Sequence, residues 1–221
     1  MGANLASLHL LSPLSCPLYN NIILQSGSPF TSILSLTVAT TRATALSHLV
    51  GCRMENREER IDCLRLVDPQ VLINQELSVA RYSLNMEPFP PTVDGRFLVE
   101  QPQDLISANL FKKCSVLLGT NANEGMDAML EFLPDLSFQS NSFELSSPQL
   151  NSAMGRMFSK FALPLISLIK FQYGMFEDEE DNSRMDIKRF FGLQSVVADK
   201  EVVCKLDKLA KKVAQDGNKV S

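Results

Sequence analysis

A short apolar run that ends at a glycine constrains the fold of this chain more than any other feature. Residues 114–125 read CSVLLGTNANEG, so the apolar residues 116–118 are followed directly by Gly119 and a polar loop. A run of this length bounded by a turn signal is typical of a buried strand, and Gly119 marks the carboxyl end of a parallel strand. Because catalytic groups gather at those strand ends in open α/β sheets, Glu124 is a candidate functional carboxylate. It could orient a histidine that takes a proton, or it could be a solvated loop acid.

The composition is that of an ordinary globular chain. Of its 221 residues 45% are hydrophobic and 21% are charged, which suits one domain or a large part of one. The net charge of −4 argues against nucleic acid as a partner. No apolar run approaches the length of a membrane span, and no basic region precedes the first apolar residues. We therefore expect no transmembrane segment and no signal peptide within this sequence.

The order of the predicted elements indicates an α/β fold that is short of strands. Strands are predicted at about 21–25 and 114–119. Helices are predicted at about 2–11, 38–50, 58–66, 102–110, 124–132, two or three within 148–192, and 199–215. The proline-rich residues 79–98 and the Ser/Asn-rich residues 134–147 are predicted to be loops. Because two strands cannot bury so many apolar helix faces, either a partner covers these faces or the chain is part of a larger fold.

Cysteines and histidines offer few candidates for chemistry. A disulfide between Cys52 and Cys63 would close a small, charged surface loop and contribute about 3 kcal/mol in the chain-entropy model, in an oxidising compartment. No Cys-x-x-Cys pair or His-rich cluster is present, so we expect no metal site, and no cofactor is implied. His9 and His48 are the only histidines, and a structural role is the more common interpretation for both. The motifs G-x-S-x-G, G-x-G-x-x-G, the Walker loop and H-E-x-x-H are absent.

A set of short motifs resembles the cholinesterase branch of the type-B carboxylesterase family. They follow one another in the order in which that family has them and cover essentially the whole chain. The motifs are HLLSP at 9–13, ILQSGSP at 23–29, LVGC at 49–52 with CL at 63–64, VDG at 93–95, LGTN at 118–121 with EG at 124–125, and VVC at 202–204.

The resemblance implies an α/β-hydrolase fold, with nucleophile, acid and histidine in that order along the chain. It implies that Glu124 is the triad acid, which orients the catalytic histidine, and that Ser26 supports this acid. It further implies that Cys52 and Cys63 form a small-loop disulfide. Cys204 matches a cysteine whose partner in the family lies beyond Ser221, so it would be unpaired here.

Both ends of the chain depart from a complete hydrolase. When residues 9–13 are aligned with the family, Gly2 falls on the last glycine of the G-E-S-A-G nucleophile elbow, and the nucleophilic serine would stand one position upstream of Met1. The oxyanion-hole glycines would precede that elbow, and the catalytic histidine would follow Ser221. We therefore predict an incomplete α/β-hydrolase domain over residues 1–221, with part of the central sheet and many helices. Without nucleophile and base it should be inactive alone.

The residues that follow the acid leave the substrate open. Residues 126–131 read MDAMLE, with no aromatic where cholinesterases place several that bind quaternary ammonium, and tryptophan is absent from the chain. The parent protein could therefore act on choline esters or on general carboxylic esters. A non-catalytic adhesion protein of the neuroligin type is the alternative, and a stand-alone helical binding protein is a weaker one. The resemblance implies a secreted or cell-surface location and is compatible with a homo-oligomer.

Overall fold

The computed structural model describes residues 2–80, 88–133, 143–176 and 182–215. The strands are β1 Ile22–Gln25 and β2 Val116–Gly119. The helices are α1 Gly2–Leu8, α2 Leu36–Leu49, α3 Arg57–Leu66, α4 Pro69–Ala80, α5 Pro102–Ser107, α6 Gly125–Phe132, α7 Ser147–Met157, α8 Leu163–Gln172, α9 Asn182–Ala198 and α10 Cys204–Gln215. A 3₁₀ turn covers Cys16–Leu18, and a π-helical segment covers Asp199–Val203.

The two strands form a parallel sheet, which confirms the prediction made from the apolar run. The register pairs Ile22 with Val116 and Gln25 with Gly119, so both strands end at the same edge. Burial differs from the prediction, because only one face of the pair is covered. Leu24 is fully buried, whereas Leu117 is 49% exposed. The second strand is therefore half-buried, as strands with one covered face are.

The chain divides into two compact units. The sheet unit contains both strands and α6 to α10, that is residues 2–3, 21–28 and the described residues from 114 onward. The disulfide unit contains residues 4–20 and the described residues of 29–113, and with them α2 to α5.

The core of the sheet unit is built from helices. α6 and α7 pack against α9, and their apolar side chains form one buried cluster. Its members are Met129, Leu133, Leu145, Leu150, Ala153, Met154, Phe158, Ile166, Met175, Phe190, Leu193, Val196 and Val197. Ser146 supports the start of α7, since its backbone N–H donates to Oε1 of Gln149 at 3.0 Å in a capping box.

The last predicted helix is not a separate element. α9 continues through the π-helical segment Asp199–Val203 into α10, so the predicted gap between helices at 193–198 is wrong. The spacing of Val202, Leu206, Leu209 and Val213 predicts one apolar face, and the last three of these residues are buried. Such a face anchors an amphipathic helix to the body of the domain.

In the disulfide unit, polar caps start the helices. Oδ1 of Asn56 accepts from the backbone N–H groups of Glu58 and Glu59, which fixes the start of α3. α4 was missed by the sequence analysis, although Asp68 followed by Pro69 is a helix-start signal. The predicted loop at 79–98 therefore begins too early, because its first two residues belong to α4. Residues 81–87 of that loop, residues 134–142 of the other predicted loop and the acidic run 177–181 lie outside the described residues.

Candidate functional site

Glu124 lies at the carboxyl edge of the sheet. β2 ends at Gly119, a turn follows, and α6 begins at Gly125, directly after the acid. The side chain of Glu124 is half-buried. The predicted position of the acid, beyond the tip of a parallel strand and before a helix, is therefore the position it has in the structure.

Two donors hold one oxygen of this carboxylate. The hydroxyl of Ser26 donates to Oε1 of Glu124. The backbone N–H of Asn121 donates to the same atom, with N and O 2.5 Å apart. Among the described residues, the other oxygen, Oε2, accepts no hydrogen bond. The carboxylate is thus fixed through one oxygen, while the second keeps its full capacity to accept a proton donor.

Ser26 reaches the acid because the strands are parallel. It follows Gln25, the last residue of β1, and its backbone N–H donates to the carbonyl of Gly119 at 2.9 Å. Its φ of 61° lies in the left-handed region, which is uncommon for a residue other than glycine. This conformation turns the chain out of the sheet immediately after the strand. The parallel register brings together two side chains that are 98 positions apart in the sequence.

Gly125 allows the acid to sit close to α9. A Cβ atom on this residue would lie 2.0 Å from the carbonyl oxygen of Gln194 and 2.8 Å from the backbone nitrogen of Ala198. Both are backbone atoms of a packed helix, so only glycine fits without a shift of α6. Glu124-Gly125 is recognisable in the sequence as a motif, but its contact with α9 is not. Nor is the contact with the amide of Asn121, since a backbone donor leaves no signal in the sequence.

The remaining predicted site residues lie elsewhere. Cys52 and Cys63 form a disulfide with their Cα atoms 5.8 Å apart, an ordinary separation for such a bond. Cys204 is exposed and is not part of a disulfide. His9 and His48 are both exposed, and the ring of His9 packs edge-on against Phe97 with the centroids 5.2 Å apart. This packing agrees with the structural interpretation of His9.

The described ranges contain no group of three or more His, Cys, Asp or Glu side chains that could hold a metal ion. Within the same ranges, no helix combines the length and the apolar character that a membrane crossing requires.

A parallel sheet edge that carries a carboxylate fixed through one oxygen defines an α/β protein with a candidate catalytic acid. Comparison with known proteins agrees: the carboxylesterase family matches residues 1–220. Acetylcholinesterase from Danio rerio is 37% identical over 217 residues, which cover 97% of this chain and 33% of that protein. Acetylcholinesterase from Bungarus fasciatus is 32% identical over 223 residues, 99% of this chain and 36% of that protein. Acetylcholinesterase from Electrophorus electricus is 35% identical over 218 residues, which cover 97% of this chain and 34% of that protein.

The chain belongs to the carboxylesterase family. Within it, these relatives make it a cholinesterase-like, type-B member. It spans about a third of the length of the relatives it matches.

Proposed function

We propose that residues 1–221 are part of a cholinesterase-like serine ester hydrolase and form an incomplete α/β-hydrolase domain. In this proposal Glu124 is the acid of a Ser-Glu-His triad, and Ser26 is a positioning residue for it. The nucleophilic serine belongs to the segment before Met1 and the histidine to the segment after Ser221. Cys204 pairs with a cysteine of that following segment.

The hydrogen bonds of Glu124 carry this proposal. An acid that orients a histidine needs one oxygen free to accept from the imidazole N–H, and it must not rotate when the imidazolium forms. Ser26 and the amide of Asn121 restrain Oε1, and in the described part of the chain Oε2 is uncommitted. A loop acid such as Asp94 is held only by backbone N–H groups of its own turn, whereas Glu124 also accepts from a side chain that follows the neighbouring strand. The contact of Gly125 with α9 adds a rigid support.

The reaction follows from these roles. The histidine removes the proton of the serine hydroxyl, the serine oxygen attacks the ester carbonyl, and the alcohol leaves with that proton. Water then releases the acid from the acyl-enzyme by the same proton transfers. Glu124 stays ionised throughout and stabilises the imidazolium. Without the serine and the histidine, residues 1–221 form no acyl-enzyme.

The substrate we propose is a carboxylic ester, with choline esters and general esters as the two classes to compare. The relatives are acetylcholinesterases by name. In this chain, however, residues 126–131 include no aromatic side chain that could bind a quaternary ammonium, and Met126 and Met129 belong to the helical core instead. We propose an extracellular location, since the Cys52–Cys63 disulfide suits an oxidising compartment.

The test uses the longer protein that contains these residues. We expect Glu124→Gln to lower kcat for butyrylthiocholine or p-nitrophenyl butyrate by about 10³–10⁴-fold, because an amide holds the histidine in the wrong tautomer. Asp127→Asn is the matched control: this exposed acid lies in α6, close to Glu124 in sequence, and its loss should leave kcat unchanged. Residues 1–221 alone should show no turnover above background.

Labelling with a fluorophosphonate separates the enzyme from the adhesion-type alternative. The reagent reacts with an activated serine, so the longer protein should be labelled and residues 1–221 alone should not. A longer protein that folds, has no reactive serine and hydrolyses neither ester would favour the non-catalytic, neuroligin-type alternative. Turnover by residues 1–221 that survives Glu124→Gln would contradict the proposed mechanism.

A further inference from the structure

A cavity between α2 and α3 in the disulfide unit belongs to no site described so far. Its volume is about 210 Å³. α2 contributes Thr40, Ala43 and Thr44 to its lining. Cys52 and Cys63 join the segment after α2 to α3, so the disulfide holds the two walls of the cavity together.

The second wall is one face of α3. Its lining residues are Arg57, Arg60, Ile61 and Leu64, whose spacing of three and four places them on the same side of the helix. The acids of α3 do not line the cavity: Glu58 and Glu59 fall on other faces of the helix, and Asp62 pairs with Arg65. Two cationic side chains therefore face this space without a carboxylate beside them.

The guanidinium of Arg60 is only partly satisfied by the protein. Nη1 donates to the hydroxyl of Thr44 at 3.0 Å, and Nη2 donates to the carbonyl of Glu55 at 3.2 Å. Its Nε is buried and has no hydrogen-bond partner. Arg57 has neither a hydrogen bond nor an ion pair in the described part of the chain. A buried N–H donor without an acceptor is unusual, and it shows that the protein does not fully satisfy this guanidinium.

We propose that this cavity binds a small organic carboxylate with a short hydrocarbon tail. Guanidinium groups bind carboxylates through their N–H donors, and both Arg57 and Arg60 line this space. The side chains of Ala43, Ile61 and Leu64 supply apolar surface for the tail. The volume is below the range of about 300–1,000 Å³ that is usual for drug-sized ligands, so the ligand is of fragment size. This proposal stands independently of the esterase function.

The test titrates the 221-residue chain with hexanoate and follows the Nε–Hε signals of its arginines by ¹H–¹⁵N NMR. We expect saturable binding with a Kd on the order of 1 mM, as for other ligands of this size, and the largest shift at Arg60. 1-Hexanol, which lacks the charge, and acetate, which lacks the tail, should each bind at least tenfold more weakly. Inorganic phosphate should not compete at the concentration at which hexanoate saturates.

Variants distinguish this site from general attraction to positive charge. Arg57→Gln removes a side chain that makes no hydrogen bond or ion pair in the described part of the chain, so the fold should persist while hexanoate binds about tenfold more weakly. Arg65→Gln is the matched control, because this arginine lies on the same helix, does not line the cavity and pairs with Asp62. Ala43→Leu should abolish binding by filling the cavity, with both charges intact. Equal weakening by Arg65→Gln, equal binding of 1-hexanol, or no saturable binding of hexanoate would overturn the proposal.

Discussion

At the scale of single residues, only some of the contacts around Glu124 could be predicted from the sequence. The acid could be predicted, because an apolar run followed by a glycine marks the end of a strand. The contact with Ser26 followed only from resemblance to the family, since it depends on strand pairing between distant segments. The left-handed backbone of Ser26 could not be predicted, because serine does not signal a positive φ.

Gly125 provides the sharpest test at this scale. We expect Gly125→Ala to lower the free energy of unfolding by about 3 kcal/mol, because the new Cβ would collide with backbone atoms of α9. Gly155→Ala is the matched control: this glycine is exposed within α7 and has open space around it. That substitution should stabilise the chain by about 0.5–1 kcal/mol, since alanine is the better helix former.

Urea unfolding followed by circular dichroism measures both changes. The opposite signs matter, because a general intolerance of substitution would lower stability in both variants. If Gly125→Ala were as stable as the unmodified chain, α6 would not pack against α9 as closely as described, and the rigid support of Glu124 would be lost from the proposed mechanism.

At the scale of elements, most helices were predicted within a few residues, but α4 was missed despite its start signal, and the connection between α9 and α10 was predicted wrongly. The strand and helix predictions for β1, α2, α3 and α6 agree with the structure to within about two residues. The continuity of α9 and α10 was missed, because a π-helical segment carries no sequence signature comparable to a cap. Its consequence is specific: Asp199, the first residue of that segment, meets Tyr173 at the end of α8.

This contact makes a prediction about pH. The hydroxyl of Tyr173 donates to Oδ2 of Asp199 at 2.6 Å. Burial and then this hydrogen bond raise the pKa of Tyr173 from 10.0 to about 12. The folded chain thus holds the phenol proton more tightly than the unfolded chain. The stabilisation from this proton is therefore complete below pH 10 and is lost as the pH rises through about 12.

Tyr173→Phe tests the assignment. We expect it to lower the free energy of unfolding at pH 7 by about 1 kcal/mol, the usual net value of a hydrogen bond, and to remove part of the loss of stability above pH 10. Absorbance titration at 295 nm gives a second measurement, because the chain has three tyrosines and no tryptophan. The variant should lack the phenol with the highest pKa. If the absorbance lost in the variant titrates near pH 10 instead of about 12, the contact is contradicted.

At the scale of the whole molecule, the sequence indicated a sheet too small for its helices. The structure shows which apolar side chains remain exposed as a result. Ile23 and Leu117 are 63% and 49% exposed on one face of the two-stranded sheet. In the sheet unit, α8 also exposes Leu168 and Phe171. Because the chain spans about a third of the length of its relatives, an apolar face without cover is expected in a part of a larger domain. The sequence could not show which side chains would be exposed, because that depends on strand register.

The uncovered sheet predicts how the chain behaves in solution. Open strand edges and exposed apolar side chains favour association, so we expect the 221-residue chain to self-associate at micromolar concentrations. Replacing both Ile23 and Leu117 with threonine keeps β-propensity and removes apolar surface, and it should shift the chain toward monomer in size-exclusion chromatography with light scattering. Leu24→Thr is the control, because this neighbouring side chain is fully buried. It should lower the free energy of unfolding by roughly 2–4 kcal/mol without reducing association. A parent chain that is monomeric at 50 µM would show that the exposed face needs no cover.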